Sequence, residues 1–137
     1  MANASGSNAH TERIEILISG PHPELREWVE SALEGMPRRI LETPGLPGEN
    51  RRLDPDDADP DLALVHEEEG TDFAARIGQF KKRYPRCQVL LVGLHDSTLN
   101  PRRLGPAVVR HWFFRPIERE AVLSTLRAAG RSLSKSH

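Results

Sequence analysis

The chain is poor in cysteine, in aromatic side chains and in long apolar runs. Its 137 residues include one cysteine, Cys87, so neither an internal disulfide nor a site of several thiolates can form within it. The longest apolar stretches, such as residues 89–93, are far shorter than the roughly 20 residues that cross a bilayer. The amino terminus also lacks a basic segment followed by an apolar one. We therefore expect a soluble, cytoplasmic protein without a membrane contact.

The composition nevertheless supports one folded domain. Hydrophobic residues make up 37% and charged residues 28% of the chain, and four Phe, two Trp and one Tyr are available for a core. Residues 1–11 and 132–137 contain mostly small or polar residues without apolar periodicity. We predict a domain over residues 12–131 with flexible tails on both sides.

Charge is distributed unevenly along the chain, although the net charge is only −1. Residues 1–69 contain 16 acids and 6 bases, whereas residues 70–137 contain 4 acids and 13 bases. Two solvated faces are the simplest interpretation, and a directional contact with a charged partner is the alternative. We do not expect nucleic acid as a partner, because the chain as a whole is slightly acidic and its aromatic residues are predicted to be buried.

Short apolar segments alternate with amphipathic ones. Strands are predicted at residues 14–18, 39–42, 61–66, 88–94 and 111–114, and helices at residues 23–34, 72–83, 100–108 and 117–131. Residues 43–60 are crowded with Pro, Gly, Asp and Asn, so a long loop with at most a helical turn near residues 51–54 replaces one helix. This alternation predicts a doubly wound α/β domain whose parallel sheet is covered on both faces. Ligands of such sheets bind at the carboxyl ends of the strands.

Three segments in order resemble the receiver domain of bacterial response regulators, the CheY-like fold. They are residues 60–66 (PDLALVH), residues 70–92 with Tyr84-Pro85, and residues 112–117 (WFFRPI). The resemblance spans about residues 13–129. It implies a five-stranded parallel sheet in the order 2-1-3-4-5, with a short or absent second helix here.

The functional positions of that family are all changed in this sequence. The resemblance implies an acidic pair for Mg²⁺, a phospho-accepting aspartate, a hydroxyl residue and a lysine, and these positions are Gly20, Pro21, His66, Gly93 and Arg115. The aromatic switch position of the family is Trp112. The resemblance therefore implies a degenerate receiver, or pseudo-receiver, without aspartyl phosphorylation and without a cofactor. The carboxylates of residues 67–69 leave Mg²⁺ binding open.

Other side chains are candidates to replace the lost chemistry. We expect Arg115 to form an ion pair with Glu67 or Glu68, and the alternative is that it binds an anion or an acid of a partner. His22, His66 and His95 follow three strands at the same sheet edge. They are candidates for a transition-metal site or a pH-dependent switch, although lone histidines are more often structural.

These observations favour a binding module over an enzyme, since no phosphate-binding glycine loop, nucleophile elbow or Ser-His or Cys-His arrangement is present. We predict a phosphorylation-independent, receiver-like signalling domain that acts through protein contacts in a bacterial, two-component-like pathway. Its interaction face is expected on the fourth helix, fifth strand and fifth helix of the family, with Arg102, Arg103, Arg110, Arg119 and Arg127. The partner is an acidic surface or the loop of residues 54–61 of a second copy. The alternatives are a regulatory domain of a transcription regulator, or a metal, anion or pH sensor that uses the former phosphorylation pocket.

Overall fold

Five parallel strands form the sheet of this computed structural model, which describes residues 13–46, 59–69, 72–94, 97 and 108–136. The strands are β1 (Ile14–Ser19), β2 (Arg38–Thr43), β3 (Leu62–His66), β4 (Gln88–Val92) and β5 (His111–Phe113). They are ordered β2-β1-β3-β4-β5, which confirms the predicted topology. The predicted strand ends differ from these bounds by no more than two residues.

Three helices are described: α1 (Pro23–Ala32), α2 (Phe73–Arg83) and α3 (Arg119–Ser136). Pro23 occupies the first turn of α1, where its missing N–H has no intrahelical partner to lose. The Asp72 side chain caps α2 by accepting the N–H of Ala75 at 3.3 Å. The predicted helix at residues 100–108 falls almost entirely outside the described residues, as does the helical turn at 51–54.

The two sheet faces carry two separate apolar layers. Ile16, Ile18 and Leu64 belong to the layer beneath α1 and α3, whereas Leu17 and Val65 belong to the layer beneath α2. Successive residues of a strand point to opposite faces, and every residue of β1 and β3 is buried. This arrangement is the doubly wound architecture that the apolar strands predict.

Helix α3 extends beyond its predicted end at Arg131. Its backbone is helical through Ser136, although we predicted a flexible tail from residue 132. The physical reason is that Leu133 continues the apolar spacing of Leu126 and Ala129 and packs, partly buried, against the same core. The small and polar residues around Leu133 do not by themselves indicate that the helix continues.

Candidate functional site

The carboxyl edge of the sheet assembles most of the predicted pocket. Gly20 follows β1, His66 ends β3, Gly93 follows β4, and Arg115 lies two residues beyond β5. The parallel register places His66 directly beside Val92. Side chains that are far apart in the sequence therefore meet at this edge, as expected for a parallel sheet.

His66, which the resemblance assigns to the phospho-acceptor position, is only 2% exposed, and both of its ring nitrogens have partners. Nδ1 lies 2.9 Å from the carbonyl oxygen of Glu67, and Nε2 lies 2.8 Å from Nη2 of Arg115. A carbonyl oxygen can only accept and a guanidinium can only donate, so Nδ1 carries the hydrogen and Nε2 accepts from Arg115. These contacts assign His66 as the neutral Nδ1–H tautomer.

The surroundings of the imidazole lower the pKa of His66. Burial is the largest cause, because it penalises the charged ring. The hydrogen bond to the Glu67 carbonyl opposes this effect, the electrostatic interactions with His22 and Arg115 lower the pKa further, and that with Glu24 raises it. The His22 ring stacks on that of His66, with 3.9 Å between the ring centroids. The neutral form of His66 is thus favoured by burial and by the neighbouring Arg115 and His22.

Position 20 requires a glycine, because its backbone passes close to the side chain of His66. Its φ is +130°, a conformation that side chains rarely adopt, and a Cβ here would lie 2.9 Å from Cβ of His66. Pro21 is exposed. The two positions that carry the acidic pair in receiver domains therefore offer no carboxylate to this pocket.

The predicted ion pair between Arg115 and Glu67 or Glu68 is wrong. Oε1 of Glu67 accepts the N–H of Leu94 at 2.9 Å. Oε2 of Glu68 accepts the N–H of Leu46 at 2.9 Å, and its Oε1 accepts from Arg76 at 2.6 Å. Strand alternation is the physical reason: His66 lies on the α1 and α3 face together with Leu64, so the next residue, Glu67, turns to the opposite face.

Trp112 fills the space beside Gly93. A Cβ at Gly93 would lie 3.1 Å from Nε1 of Trp112 and 3.6 Å from Oε1 of Glu67. A hydroxyl-bearing side chain at this position would displace the indole. Nε1 of Trp112 is buried and, within the described part of the chain, has no hydrogen-bond partner.

The metal-site hypothesis receives no support from the described residues. His22 and His66 do come together, but His95 lies outside the residues that the structure describes. In the described ranges no group of three His, Cys, Asp or Glu side chains could hold a metal ion. The lone Cys87 is buried in the layer beneath α2, and burial raises the pKa of its thiol to about 12.

The described residues include part of the predicted interaction face, which stays a prediction. Arg119 donates to Glu27 of α1 at 2.6 Å, and Arg127 lies 3.9 Å from Glu120. Arg110 is exposed, whereas Arg102 and Arg103 fall outside the described residues. The Arg119 side chain thus joins α3 to α1 and remains 49% exposed.

The exposure of Phe114 is not predicted by the sequence. Phe114 is 55% exposed and is the large hydrophobic side chain that stands out to solvent in the described ranges. Its ring stacks on Trp112 with 5.5 Å between centroids and planes 8° apart. One pattern in the sequence indicates this pair: Trp112 and Phe114 are two residues apart, and such residues lie on the same side of a strand.

No model of a known protein family matches the chain, and no curated protein matches it either. Several solved structures are similar to it. A protein from Burkholderia pseudomallei that is described as related to pilus assembly is 22% identical, with a TM-score of 0.65, over 88% of this chain and 92% of that one. A pilus assembly protein from Burkholderia thailandensis, so described, is also 22% identical, with a TM-score of 0.65, over 86% of this chain and 98% of that one.

A response regulator from Thermotoga maritima is 14% identical, with a TM-score of 0.63, over 87% of this chain and 98% of that one. Together with the strand order, these similarities show that the chain has the CheY-like fold of response regulator receiver domains. In the described part of the chain, no helix is both long and apolar enough to span a membrane.

Proposed function

We propose that the chain is a receiver-like signalling module that works without aspartyl phosphorylation and acts through protein contacts. The observation that carries this proposal is the pair formed by His66 and Arg115. It occupies the place where a phosphorylated receiver keeps its aspartate and lysine. The receiver fold supports the signalling class, and the altered pocket supports the departure from phosphotransfer.

Positions 20, 21 and 66 lack the carboxylates that aspartyl phosphorylation requires. Mg²⁺ prefers oxygen ligands in octahedral geometry, and the side chains of Gly20 and Pro21 supply no carboxylate. The carboxylates of Glu67 and Glu68 are held by backbone N–H groups and by Arg76. Charge that develops on a transferring phosphoryl group would thus not be neutralised as phosphotransfer requires.

Contact with a protein partner fits the surface near β5. Phe114 and Trp112 form a stacked aromatic pair, and the exposed Arg110 precedes the same strand. Aromatic and arginine side chains are enriched among the residues that contribute most to binding. The basic half of the chain favours an acidic partner surface, and the acidic residues of a second copy are a candidate.

The similarity to the two Burkholderia proteins favours a particular kind of partner. Both are described as related to pilus assembly, and both are more similar in sequence than the Thermotoga response regulator. We therefore favour a component of a multiprotein assembly over a phosphate-donating kinase as the partner.

Phosphotransfer is tested by incubating the protein with Mg²⁺ and a small acyl phosphate and measuring its intact mass. We expect no added phosphoryl group on the wild type or on His66→Asp, because the acid restored in that variant still lacks carboxylates at positions 20 and 21. A receiver domain with a complete acidic pair serves as the positive control. Saturable phosphorylation of the wild-type chain would overturn the phosphorylation-independent function.

The contact surface is tested by sedimentation of the protein at low and high salt. We expect self-association that weakens with salt and that weakens about tenfold in Phe114→Ser. Gln79→Ser, which changes an exposed and uncharged side chain of α2, is the matched control. Association that is absent at both salt concentrations, or equal in both, contradicts a charge-steered homodimer.

A further inference from the structure

We propose that His22, His66 and Arg115 form a pH-sensitive latch, in which neutral His66 holds Arg115 and protonated His66 releases it. The latch lies in the former phosphorylation pocket but needs neither a phosphoryl group nor a partner. It therefore goes beyond the proposed function and can be tested independently of it.

The chemical step is the addition of one proton to Nε2 of His66. In the neutral ring this nitrogen holds a lone pair that accepts an N–H of Arg115 at 2.8 Å. When a proton from water occupies the lone pair, both groups become donors, and the hydrogen bond between them breaks. Nδ1–H of His66 continues to donate to the carbonyl oxygen of Glu67. No covalent bond other than N–H forms or breaks.

The charges around the ring determine what happens next. His22 from the loop after β1 stacks on one side of the ring, and Arg115 from the segment after β5 binds its edge. Glu24, in the first turn of α1, is an exposed carboxylate that attracts the charged ring. Glu67 is within the same segment, but its carboxylate is held by Leu94. In the described ranges, protonation thus places a positive charge against Arg115 and beside His22, opposed by the hydrogen bond to the Glu67 carbonyl and by Glu24.

Arg115 is the group that moves, because the ring cannot. His66 is 2% exposed and confined by the close approach of Gly20, whereas the Arg115 side chain is half-buried and can turn toward solvent. Arg115 directly follows Phe114. Its release therefore alters the segment that presents the exposed aromatic ring. Burial, which lowers the pKa of His66, places the transition below about pH 6.5, the ordinary midpoint of a histidine.

The test is an NMR titration of the full chain from about pH 8 to about pH 5, with the ring nitrogens of each histidine and the backbone amides resolved. At the start we expect His66 in the neutral Nδ1–H form. As its ring becomes charged, the amides of Phe114 and Arg115 should shift along the same curve. The amide of Ile77, in α2, should not follow it.

Two variants separate the latch from general acid effects. His66→Gln keeps a side-chain oxygen that can accept from Arg115 but cannot be protonated, so the shifts of Phe114 and Arg115 should disappear. His22→Gln removes an electrostatic interaction that lowers the pKa of His66, so the His66 curve should move to higher pH. If His66→Gln does not fold, the wild-type titration and His22→Gln still decide the outcome.

Three results would overturn the latch. One is a His66 ring that is protonated at Nε2 near neutral pH. Another is titration of His66 without any movement of the Phe114 and Arg115 amides. The third is persistence of the same shifts in a folded His66→Gln protein.

Discussion

Two polar centres lie on the same sheet, at opposite edges, and their charges are arranged differently. At the amino edge, Glu15 is 7% exposed and binds Nε of Arg13 at 3.1 Å and Nη1 of Arg39 at 3.2 Å. At the carboxyl edge, His66 is 2% exposed and contacts His22 and Arg115, which are both basic. The first centre combines opposite charges, and the second tolerates burial only because its histidine is neutral. Burial penalises charge at both centres, so the neighbouring groups determine which form of the side chain is stabilised.

Shortening a buried apolar side chain between the two centres should have the largest effect on the free energy of unfolding. Leu64 lies in the middle of β3 and is completely buried. We expect Leu64→Ala to lower the free energy of unfolding by about 2–5 kcal/mol, since it removes buried methyl groups and leaves a cavity. Urea denaturation measures this loss. An effect as small as that of a surface change would contradict the assignment of Leu64 to the core.

Adding a single methyl group at the carboxyl edge should have the next largest effect. We expect Gly20→Ala to lower the free energy of unfolding by about 1–3 kcal/mol, since its φ is +130° and the new Cβ would lie 2.9 Å from His66. Gly78→Ala is the matched control, because Gly78 lies within α2 and a Cβ there meets nothing within 4 Å. The control should raise stability by about 0.5–1 kcal/mol, as alanine favours the helix over glycine. Thermal denaturation of both variants should therefore show opposite signs.

Removing the charge at the amino edge should cost less. We expect Glu15→Gln to lower the free energy of unfolding by about 1–2 kcal/mol. The loss is moderate because the Arg13 and Arg39 side chains are 34% and 38% exposed and can be hydrated. Glu34→Gln, at an exposed position, is the control and should change little. Equal stability of the two variants would show that the Glu15 carboxylate contributes no more than an exposed one.

The dependence of stability on pH should distinguish the two centres next. The folded chain lowers the pKa of His66 below its value of about 6.5 in the unfolded chain, so the unfolded chain binds more protons between these two pKa values. Stability contributed by neutral His66 is then present above about pH 6.5, decreases as the pH falls toward the folded pKa, and is lost below it. Urea denaturation at several pH values should show a steeper loss for the wild type than for His66→Gln. Glu15→Gln should retain the wild-type slope over the same interval, because it leaves His66 unchanged.

An exposed ion pair outside both centres should matter least. Arg119 and Glu27 join α3 to α1, and their side chains are 49% and 52% exposed. Such pairs contribute little because water and salt screen them. We expect Arg119→Ala to leave the denaturation midpoint nearly unchanged at moderate salt. A loss as large as that of Glu15→Gln would show that exposure does not distinguish these ion pairs.

The sequence predicted the sheet well because its strands are short, apolar and buried on both faces. Residues of β3 and β4 have no polar alternation that would suggest an exposed face, and the segments between them have helical spacing. The C-terminal end of α3 was missed because the apolar spacing there depends on the single residue Leu133. The predicted helix at residues 100–108 remains a prediction.

The site was predicted less completely than the fold. The sequence located Gly20, His66, Gly93 and Arg115 at one edge, since strand order places the carboxyl ends together. It did not predict the partner of Arg115, because Glu67 is adjacent in sequence to His66 but lies on the opposite side of the sheet. It also missed the exposed ring of Phe114, since local composition does not reveal which side of an edge strand remains uncovered.

The sequence by itself determined the order of the elements and the buried strands, because these depend on residue type and local spacing. Only the tertiary structure decided that His66 is neutral, that it accepts from Arg115 and stacks on His22, and that Glu15 is paired with Arg13 and with Arg39 of the neighbouring strand. The physical reason is that protonation and pairing depend on burial and on distances of a few ångströms. Those quantities arise when residues as far apart as 66 and 115 are brought to one edge of the sheet.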